Sequence, residues 1–171
     1  MELSRLLAER YSVRKFQDRP LSREDLSIIL KAVLAAPTGC NYQPQRVYVA
    51  ESPEALEKLN RLSKCIFGAK TVLIFTYDSS EDWKNPLEEG IHSGVQDVSI
   101  AACHAMLQAW ELGIGCCWVN YFANSVLERE LGLPETERAV LLMPIGYPAP
   151  DAAPLPLHSS SKSADDVVRY I

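Results

Sequence analysis

Thr71-Val72-Leu73-Ile74-Phe75-Thr76-Tyr77 is a run made almost wholly of β-formers. A continuous apolar run this short suits a strand buried on both faces. The rest of the chain supplies what surrounds it. Leu3, Leu6 and Leu7 share one face of a short first helix, and Tyr11 to Phe16 reads as extended chain before a Pro20 turn. Ser22, with Asp25 three residues on, caps a helix whose apolar residues are Leu26, Ile29, Leu30 and Val33. Pro37 and Gly39 end it, and Arg46 to Ala50 follows as a short strand. Ser52-Pro53 opens a helix running to about Ser63.

Asp78 to Glu89 is a polar loop, and the longest helix spans Ile91 to Leu112. There Val95, Val98, Ala102, Ala105 and Ala109 recur at helical spacing, Gly113 is the stop, and the alanines point to close contact with another helix. Cys116 to Val119 reads as a buried strand, and Ser125 with Glu128 as the capping box of a helix ending at Gly132. Ala139 to Ile145 is the last strand, the Pro-rich chain from Pro144 to Pro156 a surface arm, and Ser163 with Asp166 caps a final turn. Helices and strands intermix, which gives an α+β class with one central sheet.

A length of 171 residues fits one domain, and a formal net charge of −5 with no basic block argues against nucleic acid and anionic membranes as partners. No apolar run reaches the roughly 18 residues of a membrane span, and the first residues carry no signal-peptide pattern. Five cysteines without a C-x-x-C pair read as reduced thiols of a cytoplasmic protein, not as a metal site or disulfide framework.

Chemistry concentrates in two segments. In extended chain Arg10, Ser12 and Arg14 point the same way, and two guanidiniums with a hydroxyl are what a phosphate needs. A solvated basic segment, with Lys15 and Arg19, is the plainer alternative. The loop from Ala36 to Pro44 follows a helix and precedes a strand; its Asn41 and Gln43 offer donors and acceptors for the edge of a flat heterocycle, while Pro37 and Gly39 shape the backbone. An ordinary helix-stop turn is the alternative there. Gly113-Ile114-Gly115 lacks the third glycine and the strand-to-helix order of a dinucleotide motif, and Cys116 and Cys117 read as core cysteines. Asp97 and His104, seven apart, read as a satisfied polar pair.

Four passages in order resemble the FMN-dependent nitroreductase family, of which the chain reads as a compact member. They are Arg10 to Phe16, Ala36 to Pro44, Glu111 to Trp118 and Ile145 to Pro148, with the tail Lys162 to Val168 behind them. The resemblance covers nearly the whole chain. It implies a three-layer α+β fold with a central mixed, mostly antiparallel sheet flanked by helices, in one domain over residues 1–171 with 148–171 as a C-terminal arm. It implies that Arg10, Ser12 and Arg14 hold the FMN phosphate, joined by Lys162, with Tyr11 between them among the cofactor-binding residues. Pro37, Thr38, Gly39, Asn41 and Gln43 then approach the flavin from the partner of a homodimer, and Trp118, Val119 and Asn120 lie near its reactive edge. The implied activity is transfer from NADH or NADPH to a small-molecule acceptor such as a nitroaromatic or quinone. A flavin-binding regulatory or storage protein without turnover is an alternative, as is a dehalogenase or flavin-modifying relative on the same fold.

Three departures bear on the pocket. Gln45-Arg46 stands where the family has an aromatic, the tail is rich in serine, and the segment between Tyr77 and Gly90 is too short for a large lid. Neither flavin loop contains His, Asp or Glu, so the reading assigns no side-chain acid or base, no catalytic cysteine and double-displacement kinetics; backbone N–H groups of Val119 and Asn120 are left to stabilise charge on the reduced ring.

Overall fold

In a computed structural model, residues 2–171 are described. The Thr71 run is the middle of the molecule. Helix α1 spans Leu3–Glu9 and α2 Arg23–Leu34; β1 is Gln45–Ala50, α3 Pro53–Leu62 and β2 Thr71–Asp78. Then come α4 at Gly94–Glu111, β3 at Gly115–Cys116, α5 at Asn124–Leu131, β4 at Glu137–Gly146 and α6 at Ala164–Val167. Among the described residues the strands form one four-stranded sheet in the order β1-β2-β4-β3, every ladder antiparallel. The one parallel element is a bridge between Ser12 and Cys116.

Strand alternation divides β2 between two cores. Leu73, Phe75 and Tyr77 pack with Leu26, Ile29 and Val33 of α2 and with Val98, Ala102, Ala105 and Ala109 of α4. Val72 and Ile74 pack on the opposite face with Leu59 of α3 and Leu127 of α5. The result is three layers, helix pair on sheet on helix pair, as the resemblance implies. The alanine stripe therefore serves contact with α2 inside the chain. Val95, expected on that stripe, is 50% exposed, and Leu3 and Leu7 are exposed while Leu6 is buried.

Several boundaries differ from the sequence expectation, each for a visible reason. Helix α4 begins at Gly94 rather than Ile91, because Lys84 bridges His92 and the Asn85 N–H donates to Ile91 O at 2.9 Å. Residues 91 and 92 are thus taken by a turn-back of the preceding loop. The strand expected over Cys116 to Val119 is a ladder only at Gly115–Cys116, resuming as a bridge between Val119 and Leu142. Pro144 accounts for the gap. Its carbonyl accepts from the Cys117 N–H at 3.1 Å, but it has no N–H to return. Pro144 to Gly146 is buried in β4, so the surface arm starts only beyond them. The expected capping box at Ser125 is absent. Ala123 is the N-cap, and Glu128 instead accepts the Ala139 N–H at 2.8 Å while Asn124 Nδ2 donates to Ala139 O at 2.7 Å. Tertiary bonds to β4 outcompete the local cap. The caps at Ser22 and Ser163 form as expected. Among the described residues no helix is long and apolar enough to cross a membrane.

Helix α4 meets β2 at Gly94, where an added Cβ would lie 2.3 Å from the Tyr77 ring. That ring is 7% exposed and has no room to move. Gly94 is the first residue of α4, so alanine gains less there than the roughly 1 kcal/mol of a helix interior, while a methyl forced into packed atoms costs about 1–3 kcal/mol or more. We expect a net fall in Tm on thermal unfolding. An unchanged or raised Tm would show that the α4–β2 contact has room for a methyl group.

Candidate functional site

The segment after α1 is held extended because Val13 is fully buried and its N–H donates to Cys116 O at 2.9 Å. This adds the segment outside β3, where Gly115 lets it approach: a Cβ there would lie 2.3 Å from Val13 Cγ2. With Val13 turned inward, Arg10, Ser12 and Arg14 line a cavity of about 320 Å³ together with Tyr11, Leu155, Leu157 and His158. Arg14 Nη1 donates to Ser12 O at 3.1 Å, and among the described residues no carboxylate engages Arg10 or Arg14. Both guanidiniums keep donors for an anion.

The arm closes the far side of this cavity. Gln17 N–H donates to Tyr147 O, Ala149 N–H to Lys15 O and Tyr11 OH to Ala152 O, which lays the arm back along residues 11–17. The Tyr11 ring sits edge-on between Trp110 at 5.2 Å and His158 at 6.1 Å. Leu155, Leu157 and His158 are contributors that sequence reasoning missed, because only the return of the arm brings them to Arg10. Lys162, expected to join the phosphate site, is exposed and does not line this cavity.

Next to the extended segment, β3 and the residue after it carry two buried thiols. Burial pushes Cys116 up to about 12 against the pull of Arg10, and burial raises Cys117 despite Arg14 and a hydrogen bond with Ser12. Neither is a thiolate at neutral pH, so neither has the character of a nucleophile.

The second segment is strained. Cys40, Asn41 and Gln43 all have left-handed backbones, with φ of 48°, 58° and 54°. Such conformations cost of order 1–3 kcal/mol each and persist only where the surroundings impose them. The surroundings here are specific. The Gly39 N–H donates to Asp97 Oδ1 at 2.9 Å, and Ser93 Oγ donates to Asp97 Oδ2 at 2.6 Å. The Gln43 N–H donates to Thr38 Oγ1 at 3.1 Å. A Cβ on Gly39 would lie 2.9 Å from Ser93 Oγ, so the glycine is needed for close approach to α4 and not for its own dihedral angles. Asp97 is 2% exposed. It serves this loop and not His104, which lines a separate groove beside Leu3 and Leu107. The sequence did carry a signal: Asp97 is an acid in line with Ala101 and Ala105, on the apolar face of α4.

Near β3, Trp118 Nε1 donates to Asn120 Oδ1 at 2.7 Å, and Asn120 Nδ2 donates to Val140 O at 2.8 Å. The Val119 N–H is committed to Leu142 O at 2.9 Å, so it is not free to stabilise an anion as expected. The Asn120 N–H has no protein acceptor among the described residues.

The two segments do not meet within one chain. The loop from Thr38 to Gln43 runs into β1 at one edge of the sheet, whereas Ser12 lies beyond β3 at the other. Four interstrand spacings separate them, on the order of 19 Å.

The nitroreductase family model matches residues 7–66 and 60–147. A Methanothermobacter thermautotrophicus protein provisionally named NADH dehydrogenase/NAD(P)H nitroreductase is 30% identical over 156 residues, 87% of this chain and 78% of that protein. A nitroreductase family protein of Clostridium difficile superposes with a TM-score of 0.91 at 32% identity, covering 99% of this chain and 98% of its own. An FMN-dependent nitroreductase from another strain of that species has a TM-score of 0.72 at 27% identity, covering 96% of each chain.

Proposed function

The chain belongs to the nitroreductase family, and on that premise we propose that it is an FMN-dependent oxidoreductase using NADH or NADPH to reduce electron-poor acceptors such as nitroaromatics or quinones. One observation carries the reading: two guanidiniums without carboxylate partners and a hydroxyl face a single cavity from one extended segment. Charge-assisted, bidentate bonds from arginine suit a terminal phosphate. One compact grip, with no glycine-rich pyrophosphate loop, favours FMN over FAD. FMN, when bound, accepts and donates the hydride.

The chain's own residues bind and orient. Arg10, Ser12 and Arg14 fix the phosphate end, and Tyr11 with the returning arm walls it. The strained loop presents Asn41 and Gln43 outward, too far from Arg10 to serve the same flavin. A second copy of the chain brings the two together, so the site is complete only in a homodimer. The Asn120 N–H is the backbone donor left to face negative charge on the ring.

Reductant and acceptor react in turn. Initial rates measured at several fixed acceptor concentrations should give parallel reciprocal lines. Intersecting lines would show that both substrates bind together, against this reading.

A further inference from the structure

Outside the phosphate grip the fold builds a second polar constellation, in the turn-back between β2 and α4. At its base is Asp82, whose side chain is 1% exposed. That carboxylate is bonded to Lys84 Nζ, to His92 Nδ1 at 2.5 Å and to the Gly94 N–H at 3.2 Å. Burial opposes its ionisation, yet the bonds from Lys84 and His92 prevail and hold it below the usual carboxylate range. A carboxylate on Nδ1 fixes the imidazole tautomer and turns Nε2 the other way. The His92 side chain is 39% exposed. It lines a cavity of about 420 Å³ with Lys84, Asn85, Pro86, Glu89 and Ile91. That volume lies in the range of small-molecule sites.

The turn-back that carries the cavity packs against the strained loop. Ser93 and Trp83, next in sequence to His92 and Asp82, are the residues against which Gly39 packs. An acid is missing from both flavin loops in the sequence, but the fold brings a third segment beside one of them.

We propose that this cavity receives a quinone-class acceptor and that His92, oriented by Asp82, is the catalytic residue that protonates it. The inference rests on the oxidoreductase reading above. NADH or NADPH is oxidised and gives up the hydride. The quinone takes that hydride and the Nε2 proton of the His92 imidazolium, becoming a hydroquinone. The neutral imidazole then regains a proton from water at its exposed edge. The titratable and charged groups around the ring are Asp82, Lys84, Glu89 and Tyr77.

The test separates the two half-reactions. FMN-loaded wild type and His92→Gln are reduced anaerobically by NADH or NADPH, then mixed with para-benzoquinone over a range of pH. Wild-type reoxidation should slow as the pH rises. In His92→Gln, reoxidation should be about a hundredfold slower at the acid end and flat with pH, while reduction stays within about twofold of wild type. Wild-type reoxidation with an unchanged pH profile in His92→Gln would overturn the assignment, as would equal loss in both half-reactions. A wild-type flavin that the nicotinamide cannot reduce would overturn the oxidoreductase reading itself, and this inference with it.

Discussion

Alanine at both Arg10 and Arg14 should all but abolish FMN binding. Each replacement removes a charge-assisted bond to phosphate worth about 1.5–3 kcal/mol. If the two add, the loss of about 3–6 kcal/mol is a factor of roughly 10² to 10⁴ in Kd. Neither side chain is buried and no carboxylate depends on either, so the fold should persist. Titration of FMN fluorescence reads the affinity, and circular dichroism reads the fold. Wild-type affinity in the double variant would remove the phosphate site.

Asp97→Ala should weaken FMN binding at a distance. The change leaves the Gly39 N–H and the Ser93 hydroxyl unpaired, and each buried orphan costs about 1–3 kcal/mol. That is enough to release a loop holding three left-handed residues. We expect at least a tenfold loss of FMN affinity, together with a lower Tm. Asp97→Asn keeps an oxygen for the Gly39 N–H and a donor for Ser93, and should recover most of the affinity. A variant that loses Tm but binds FMN normally would mean that the loop does not touch the flavin. The two lesions also test where the site lies. A mixed dimer of an Arg10→Ala/Arg14→Ala protomer and an Asp97→Ala protomer rebuilds one intact site from the two undamaged halves. It should bind one FMN tightly, whereas a site contained in a single chain would regain nothing.

The parts legible in sequence were those governed by local periodicity and local capping. The β2 run, the apolar spacing of α2 and the caps at Ser22 and Ser163 need no distant partner to declare themselves. The extended Arg10–Arg14 face was legible for the same reason, since alternation along a strand is local. What escaped was decided by contacts across the fold. Glu128 left its cap to bond β4, and Pro144 interrupted a ladder whose other strand lies 27 residues earlier at Cys117. Asp97 was paired with His104 in the sequence reading and Asp82 drew no attention, because their partners, Gly39 and His92, come close only after α4 docks on the sheet and the preceding loop turns back. The arm residues Leu155 and His158 reach Arg10 by the same kind of return. The strain at Cys40, Asn41 and Gln43 was hidden as well: cysteine and glutamine carry no preference for that conformation, and only the imposed bonds reveal it.

Anaerobic titration of the FMN-loaded dimer with NADH or NADPH tests the central claim most directly. The account predicts that the yellow flavin absorbance bleaches at one equivalent of nicotinamide per FMN and returns when a quinone or nitroaromatic is added. A flavin that stays oxidised under excess of both nicotinamides would contradict it.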